Sequence, residues 1–111
     1  MRKSCLCIAL IFGFTFAAAQ WQSLNPGAGG QVQDIAAASS DKNILYLAAD
    51  MEGVYRTSDN ANSWVLINEG LVHNRIYSPS VDYKDSERIF AGTLYGLHYS
   101  LNGGKNWNFV N

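Results

Sequence analysis

The sequence predicts an all-β fold assembled from repeated four-stranded antiparallel sheets, and three observations predict it. Trp21, Trp64 and Trp107 recur at a constant interval of 43 residues, each opening the same phrase: W-Q-S-L-N, W-V-L-I-N and W-N-F-V-N. Each period holds short runs rich in Ile, Val, Tyr and Phe, bounded by Gly, Asn, Asp and Ser, which is the composition of strands joined by tight turns. No stretch of residues 20–111 spaces its apolar side chains at the helical period. Four short strands in a repeat of roughly 40–45 residues make a β-propeller blade.

The first 19 residues stand outside the repeat. Arg2 and Lys3 precede an apolar run from Leu6 to Phe16, and Ala17-Ala18-Ala19 then Gln20 supply a small-residue cleavage site. This is the pattern of a secretory signal peptide, with an apolar run too short to span a membrane. Cleavage after Ala19 predicts a secreted or periplasmic protein with no membrane attachment. Cys5 and Cys7 fall inside the signal and ahead of most of its apolar run, so neither is a lipid-anchor cysteine, and the mature chain has no cysteine. It cannot rely on disulfides, although its compartment would permit them.

Overlaid on itself at 43 residues without a gap, the chain sets Tyr46-Leu47-Ala48 on Ile89-Phe90-Ala91, Gly53-Val54 on Gly96-Leu97, Thr57 on Ser100, Asp59 on Asn102, and Asp50 on Thr93. The first period then reads as strands near Val32–Ala38, Ile44–Ala49, Gly53–Ser58 and Ser63–Ile67. The second reads as Ile76–Val81, Arg88–Gly92, Gly96–Ser100 and Asn106–Val110. Pro79 cannot donate to a ladder, so the strand that holds it belongs at a sheet edge; the overlay pairs it with Ala36. The organisation expected is a closing strand at 21–25, a blade at 26–68 and a second blade at 69–111. Propellers close with four to eight blades. Two blades therefore read as the N-terminal piece of a longer protein or a truncated frame, the missing C-terminal blades being partners in cis. With unpaired outer edges, such a piece is expected to be marginally stable or to self-associate.

Composition excludes several functions. Residues 20–111 carry six basic and nine acidic side chains and no basic patch, which argues against a nucleic-acid partner. His73 has no second histidine or cysteine at metal-ligand spacing, so no metal is expected. No G-x-S-x-G nucleophile and no phosphate-binding glycine loop occurs, so no cofactor is expected either.

The second half of each period carries a motif. T-S-D-N-A-N-S-W (Thr57 to Trp64) and S-L-N-G-G-K-N-W (Ser100 to Trp107) resemble the Asp-box, or BNR repeat, S/T-x-D-x-G-x-T/S-W. Ala61 replaces the glycine of the first copy; Asn102 and Asn106 replace the aspartate and the Thr/Ser of the second. Thr57, Asp59, Trp64, Ser100, Asn102, Gly104 and Trp107 are thus assigned structural roles. The acid or amide accepts turn N–H groups, Gly104 permits a positive φ, and the tryptophan packs under the hairpin. Upstream, G-A-G-G-Q-V-Q-D-I and N-I-L-Y-L-A-A-D-M-E-G-V-Y-R are similar to the N-terminus of xyloglucan-cleaving glycoside hydrolases, which carry a Y-x-x-T-D-x-G-G-x-Y-R segment. Sortilin-type propellers and the photosystem II assembly propeller share a looser version. Sialidases, which also use Asp-boxes, need an R-I-P motif; here Arg75-Ile76 precedes Tyr77 and Arg88-Ile89 precedes Phe90.

The turns between second and third strands and the links between blades share one end of a propeller, the usual ligand face. Here they display Asp50, Glu52, His73, Asn74, Arg75, Thr93 and Tyr95. Glu52, His73, Arg75 and Tyr95 are the ligand-binding candidates, and Tyr95, Tyr55 and Trp21 offer flat faces to sugar rings. Tyr55 and Trp21 stand at strand positions expected to pack between blades. From the residues alone, Asp50 is a turn aspartate. The hydrolase resemblance implies a general base at Asp50, with Ala49 and Glu52 departing from the family's threonine and glycine. It also implies a polysaccharide such as a β-glucan as substrate, and a second carboxylate from a further domain. The alternative is a non-catalytic secreted propeller that binds a protein or glycan.

Overall fold

A computed structural model describes residues 20–23, 26–27 and 31–110. Residues 1–19, the expected signal peptide, Leu24 and Asn25 of the expected closing strand, residues 28–30 of the glycine run and Asn111 lie outside the described residues. Among the described residues eight strands form: β1 (Val32–Ala37), β2 (Leu45–Ala49), β3 (Gly53–Thr57), β4 (Val65–Leu66), β5 (Ile76–Val81), β6 (Ile89–Thr93), β7 (Gly96–Ser100) and β8 (Asn108–Phe109). They build two antiparallel meanders, β1-β2-β3-β4 and β5-β6-β7-β8. These are the two blades that the tryptophan spacing predicts.

The register corrects the gapless overlay. Leu45 pairs with Thr57 in the first sheet, whereas Ile89 pairs with Ser100 in the second. Ile89 therefore occupies the place of Leu45, and β1 and β2 map onto β5 and β6 at an offset of 44 rather than 43. Turn hydrogen bonds repeat at the same offset: Ala38 N–H to Ile44 O and Asp82 N–H to Arg88 O, and Asp50 N–H to Gln31 O and Leu94 N–H to Arg75 O. The lost residue is in the second hairpin, where Leu94-Tyr95 does the work of Asp50-Met51-Glu52. Asp50 thus corresponds to Leu94, not Thr93, and Tyr46 to Phe90, not Ile89.

Pro79 corresponds to Ile35, not Ala36, and its edge position is as expected. The Ile35 N–H bonds the neighbouring Asp34 carboxylate at 2.8 Å. A backbone N–H that the ladder does not use can be dispensed with, which is why proline fits at the equivalent site.

The fourth strands are shorter than expected because other acceptors capture their backbone on both sides. Ser63 N–H and Asn106 N–H bond the side chains of Asp59 and Asn102. Beyond Leu66 pairing continues with Ile67 N–H to Val54 O, then the Asn68 side chain takes over, accepting Val54 N–H at 2.9 Å and donating to Glu52 O at 2.7 Å. The final asparagine of the repeated phrase therefore clamps the β2–β3 turn. A Cβ at Gly53 (φ +105°) would stand 2.1 Å from Asn68 Oδ1, so this clamp requires glycine.

The core lies between the sheets. Tyr46, Ala48 and Val54 of the first meet Ile76, Ile89 and Ala91 of the second, all at 1% exposure or less, with Trp107 closing one end. The Trp107 indole N–H bonds Ile67 O at 2.6 Å and its backbone N–H bonds Glu69 O. Tyr46 donates to Ser86 O, Arg56 Nε donates to Tyr46 Oη, and Arg56 is paired with Glu87 at 2.6 Å. Trp64, the equivalent of Trp107, is half-buried. Trp21 is fully exposed and no strand runs through residues 20–23, so its expected packing between blades is not seen. The described residues place no second sheet beside it.

Two outcomes follow for stability. Replacing Trp107 by alanine removes a buried ring and its hydrogen bond, and costs about 3–5 kcal/mol in denaturant unfolding. His98 on β7 is fully buried; its Nε2 accepts Val72 N–H at 3.2 Å and its Nδ1 has no partner. Burial pushes its pKa below the ordinary 6.5. The unfolded chain then takes up the proton first, so stability is full above about pH 6.5 and falls as pH drops below it. His98→Phe flattens that slope in melting curves taken between pH 7 and 5.

Candidate functional site

Gly53 and Thr57 are the two ends of β3, so the β2–β3 turn and the motif after Thr57 lie at opposite ends of the blade. The motif end is a pair of matched hydrogen-bonded turns. In the first, Asp59 Oδ1 accepts Thr57 Oγ1–H (2.8 Å) and Ser63 N–H (2.8 Å), Oδ2 accepts Ser63 Oγ–H (2.6 Å), and Thr57 Oγ1 accepts Ala61 N–H (2.9 Å). In the second, Asn102 Oδ1 accepts Ser100 Oγ–H (2.8 Å) and Asn106 N–H (3.0 Å), while Ser100 Oγ accepts Gly104 N–H (2.9 Å). The two asparagines of the second copy compensate each other. Where Ser63 donates to the Asp59 carboxylate, Asn102 Nδ2 donates to Asn106 Oδ1 at 3.1 Å. These donors engage Asp59 so fully, Ser63 first, that its pKa falls to about 2.

The opposite end gathers the expected ligand-face residues across the junction of the sheets. Asp50 opens the β2–β3 turn, with its side chain one quarter exposed. The link from β4 to β5 brings Arg75 to it, Nε 3.2 Å from Asp50 Oδ1. That approach lies off the hydrogen-bonding direction, so the contact is ionic, and the buried Oδ1 retains an unfilled acceptor position. Arg75 is fixed by its own backbone. Its N–H bonds His73 Nδ1 at 3.0 Å, and its carbonyl accepts Leu94 N–H at 3.1 Å. His73 in turn sets its ring edge-on to Tyr95 at 5.0 Å. Asp50, Arg75, His73 and Tyr95 thus form one continuous polar and aromatic line.

Glu52 is directed elsewhere, its Oε1 accepting the Tyr55 hydroxyl at 2.6 Å, and this carboxylate acceptor raises the Tyr55 pKa. Thr93 is turned into its own hairpin, Oγ1 bonding Gly96 O and Tyr95 N–H. Asn74 is exposed beside Arg75. Among the described residues no group of three His, Cys, Asp or Glu side chains is placed to hold a metal. A groove of about 440 Å³ runs along Leu66–Gly70 beside Gly104 and Lys105. It contains none of the ligand-face residues, and the site's chemistry, not this volume, marks the candidate.

Sequence reasoning missed Asn68 and His98. The recurrence of asparagine four residues after each tryptophan was a readable signal for the first. For the second the signal was a histidine in the middle of an apolar strand.

Three of the solved structures that resemble the chain span two kinds of propeller. An ancestral GH74 enzyme is 49% identical over 84% of this chain, with a TM-score of 0.70. YCF48 from Cyanidioschyzon merolae is 21% identical over 84%, with a TM-score of 0.64. A GH74 xyloglucanase from Xanthomonas campestris is 19% identical over 68%, with a TM-score of 0.55. The latter two likenesses speak for the fold alone. This chain spans 12% of the ancestral enzyme, 27% of YCF48 and 14% of the xyloglucanase. No protein-family profile and no curated protein matches it. The chain is a β-propeller segment related in structure to the propeller of a glycoside hydrolase.

Ala61 holds φ +69°, the conformation that Gly104 adopts with φ +87° in the second copy. An L-residue pays about 1–2 kcal/mol there. Ala61→Gly therefore raises stability by roughly 1 kcal/mol, less what glycine loses in the unfolded chain; a lower midpoint in urea contradicts this. An NMR titration is expected to find Asp59 protonating only near pH 2, with the first turn persisting to well below pH 4 and lost as pH falls through about 2, whereas the neutral Asn102 turn has no such dependence.

Proposed function

We propose that the chain is the first part of a secreted carbohydrate-active propeller, a glycoside hydrolase of the xyloglucan-cleaving kind, in which Asp50 is the general base. The observation that carries the reading is the 49% identity to an ancestral GH74 enzyme over 84% of the chain, a stretch that includes the A-D-M-E-G-V-Y-R segment. Residues 1–19 export it, and Thr57 to Trp64 and Ser100 to Trp107 are its Asp-boxes.

The chemistry fits the position. Inverting hydrolysis needs one carboxylate to activate water and one acid, roughly 6.5–9.5 Å away, to protonate the leaving oxygen. Asp50 stands at the rim with its side chain one quarter exposed, where a polysaccharide can reach it. Arg75, with Nε 3.2 Å from Oδ1, holds this carboxylate at the junction of the two sheets. Tyr95 is 62% exposed and offers a flat face to a sugar ring next to that carboxylate. The proton donor belongs to a part of the protein beyond these two sheets.

Asp50→Asn in a polypeptide that carries the remaining blades removes the base while keeping the turn's size. Hydrolysis of xyloglucan or another β-glucan, followed as reducing ends, falls at least a hundredfold with an unchanged melting temperature. Undiminished turnover removes Asp50 from the mechanism. Saturable glycan binding with no turnover in the unaltered protein replaces the enzyme by a binding module.

A further inference from the structure

We infer that Met51, the residue after Asp50, is a substrate-binding residue of the proposed glycan site, its thioether side chain taking the apolar face of a pyranose ring; the inference rests on the carbohydrate reading of that site. Met51 holds the third position of the β2–β3 turn, which the Glu52 N–H closes on Ala49 O at 3.4 Å. Its φ is +67°. A third-position residue with positive φ is ordinarily glycine or asparagine, because the left-handed region crowds the Cβ of other L-residues. The matching hairpin of the second sheet avoids this cost. In both hairpins the glycine that opens the next strand takes positive φ, Gly53 at +105° and Gly96 at +129°, but neither Leu94 nor Tyr95 joins it. The strained position thus enters with the one extra residue of the first hairpin.

The fold gains no packing from this residue. Met51 is 62% exposed and stands outside the apolar core. Ala61 has a similar φ, but its side chain is a single methyl and its N–H is held by Thr57 Oγ1 within the motif. A long apolar side chain kept exposed on a strained backbone, beside the candidate base, points to a contact made only when ligand is bound. Its surroundings indicate the ligand. The connections that bring Asp50 and Arg75 together also expose Met51, Val72, Leu94 and Tyr95. A pyranose carries hydroxyls on its rim and C–H groups on its faces, so it matches a charged pair set among apolar side chains. Methionine suits such a surface, because its unbranched, polarizable chain adapts to the outline it meets.

The test uses a polypeptide that carries the remaining blades, with Asp50→Asn so that a xyloglucan oligosaccharide is bound but not cleaved. Calorimetry gives the dissociation constant of each variant and a thermal melt its stability. Met51→Gly and Met51→Asn suit the positive φ and remove the apolar chain. Both are expected to weaken binding about fivefold, the scale of one lost apolar contact, with a melting temperature equal to or above the parent's. Met51→Leu, which keeps an apolar chain, is expected to bind within about twofold of the parent. With Asp50 in place, Met51→Gly raises KM and leaves kcat unchanged, as loss of uniform binding requires. Unchanged dissociation constants in the glycine and asparagine variants overturn the inference and leave Met51 a turn residue. Weaker binding with a lowered melting temperature overturns it too, since Met51 then acts by holding the turn. Failure of the general-base reading is seen separately, as undiminished turnover by the Asp50→Asn protein; a KM that still rises in Met51→Gly then supports the inference, and an unchanged KM overturns it. A parent protein that binds no oligosaccharide overturns both.

Discussion

The packing of one sheet against the other is the constraint on which everything else rests. Neither sheet can bury its own apolar face, because a twisted four-stranded meander has a core only where a second layer covers it. Tyr46, Ala48 and Val54 therefore depend on Ile76, Ile89 and Ala91, and the Trp107 indole spans the junction to Ile67 O. The candidate site inherits this dependence. Asp50 is on the first sheet and Arg75, His73 and Tyr95 arrive with the second, so their alignment exists only while the interface holds.

The ends of the blade are built with different tolerances. At the motif end, geometry is kept while chemistry changes: a carboxylate with a serine and an amide with an asparagine satisfy the same turn. What that end needs is a completed set of donors and acceptors, and any pairing that completes it suffices. At the other end the two hairpins differ in length by one residue, and only the longer carries an acid. A turn that varies in length and sequence while its strands keep their pairing is free to carry function, and Asp50 sits in such a turn.

Fold class, strand number and the structural motif were legible because each rests on a local pattern repeated in the sequence: alternating strands, turn residues and a tryptophan per period. The deletion in the second hairpin was not. It lies between Trp64 and Trp107, but the link from Trp64 to Arg75 is one residue longer than that from Trp21 to Gln31 and restores the interval of 43, and the matches of Leu47 or Tyr46 with Phe90 are equally apolar. Hydrogen bonding decided the register that hydrophobicity left degenerate. The candidate residues were legible as members of one end of the fold, but not their order of contact. Arg75 reaching Asp50, and Glu52 turning to Tyr55, depend on loop paths that no periodicity encodes. Trp21 is exposed because the described residues place no sheet beside it, and packing requires a neighbouring sheet as well as a suitable side chain.

Native-state hydrogen exchange tests most directly the claim that the two sheets are one cooperative unit. The slow amides of β2 and β6 and the Trp107 indole N–H are predicted to share one opening free energy, equal to that of global unfolding. Amides of β2 that exchange through a separate opening of much lower energy, with β6 and the indole still protected, would contradict it.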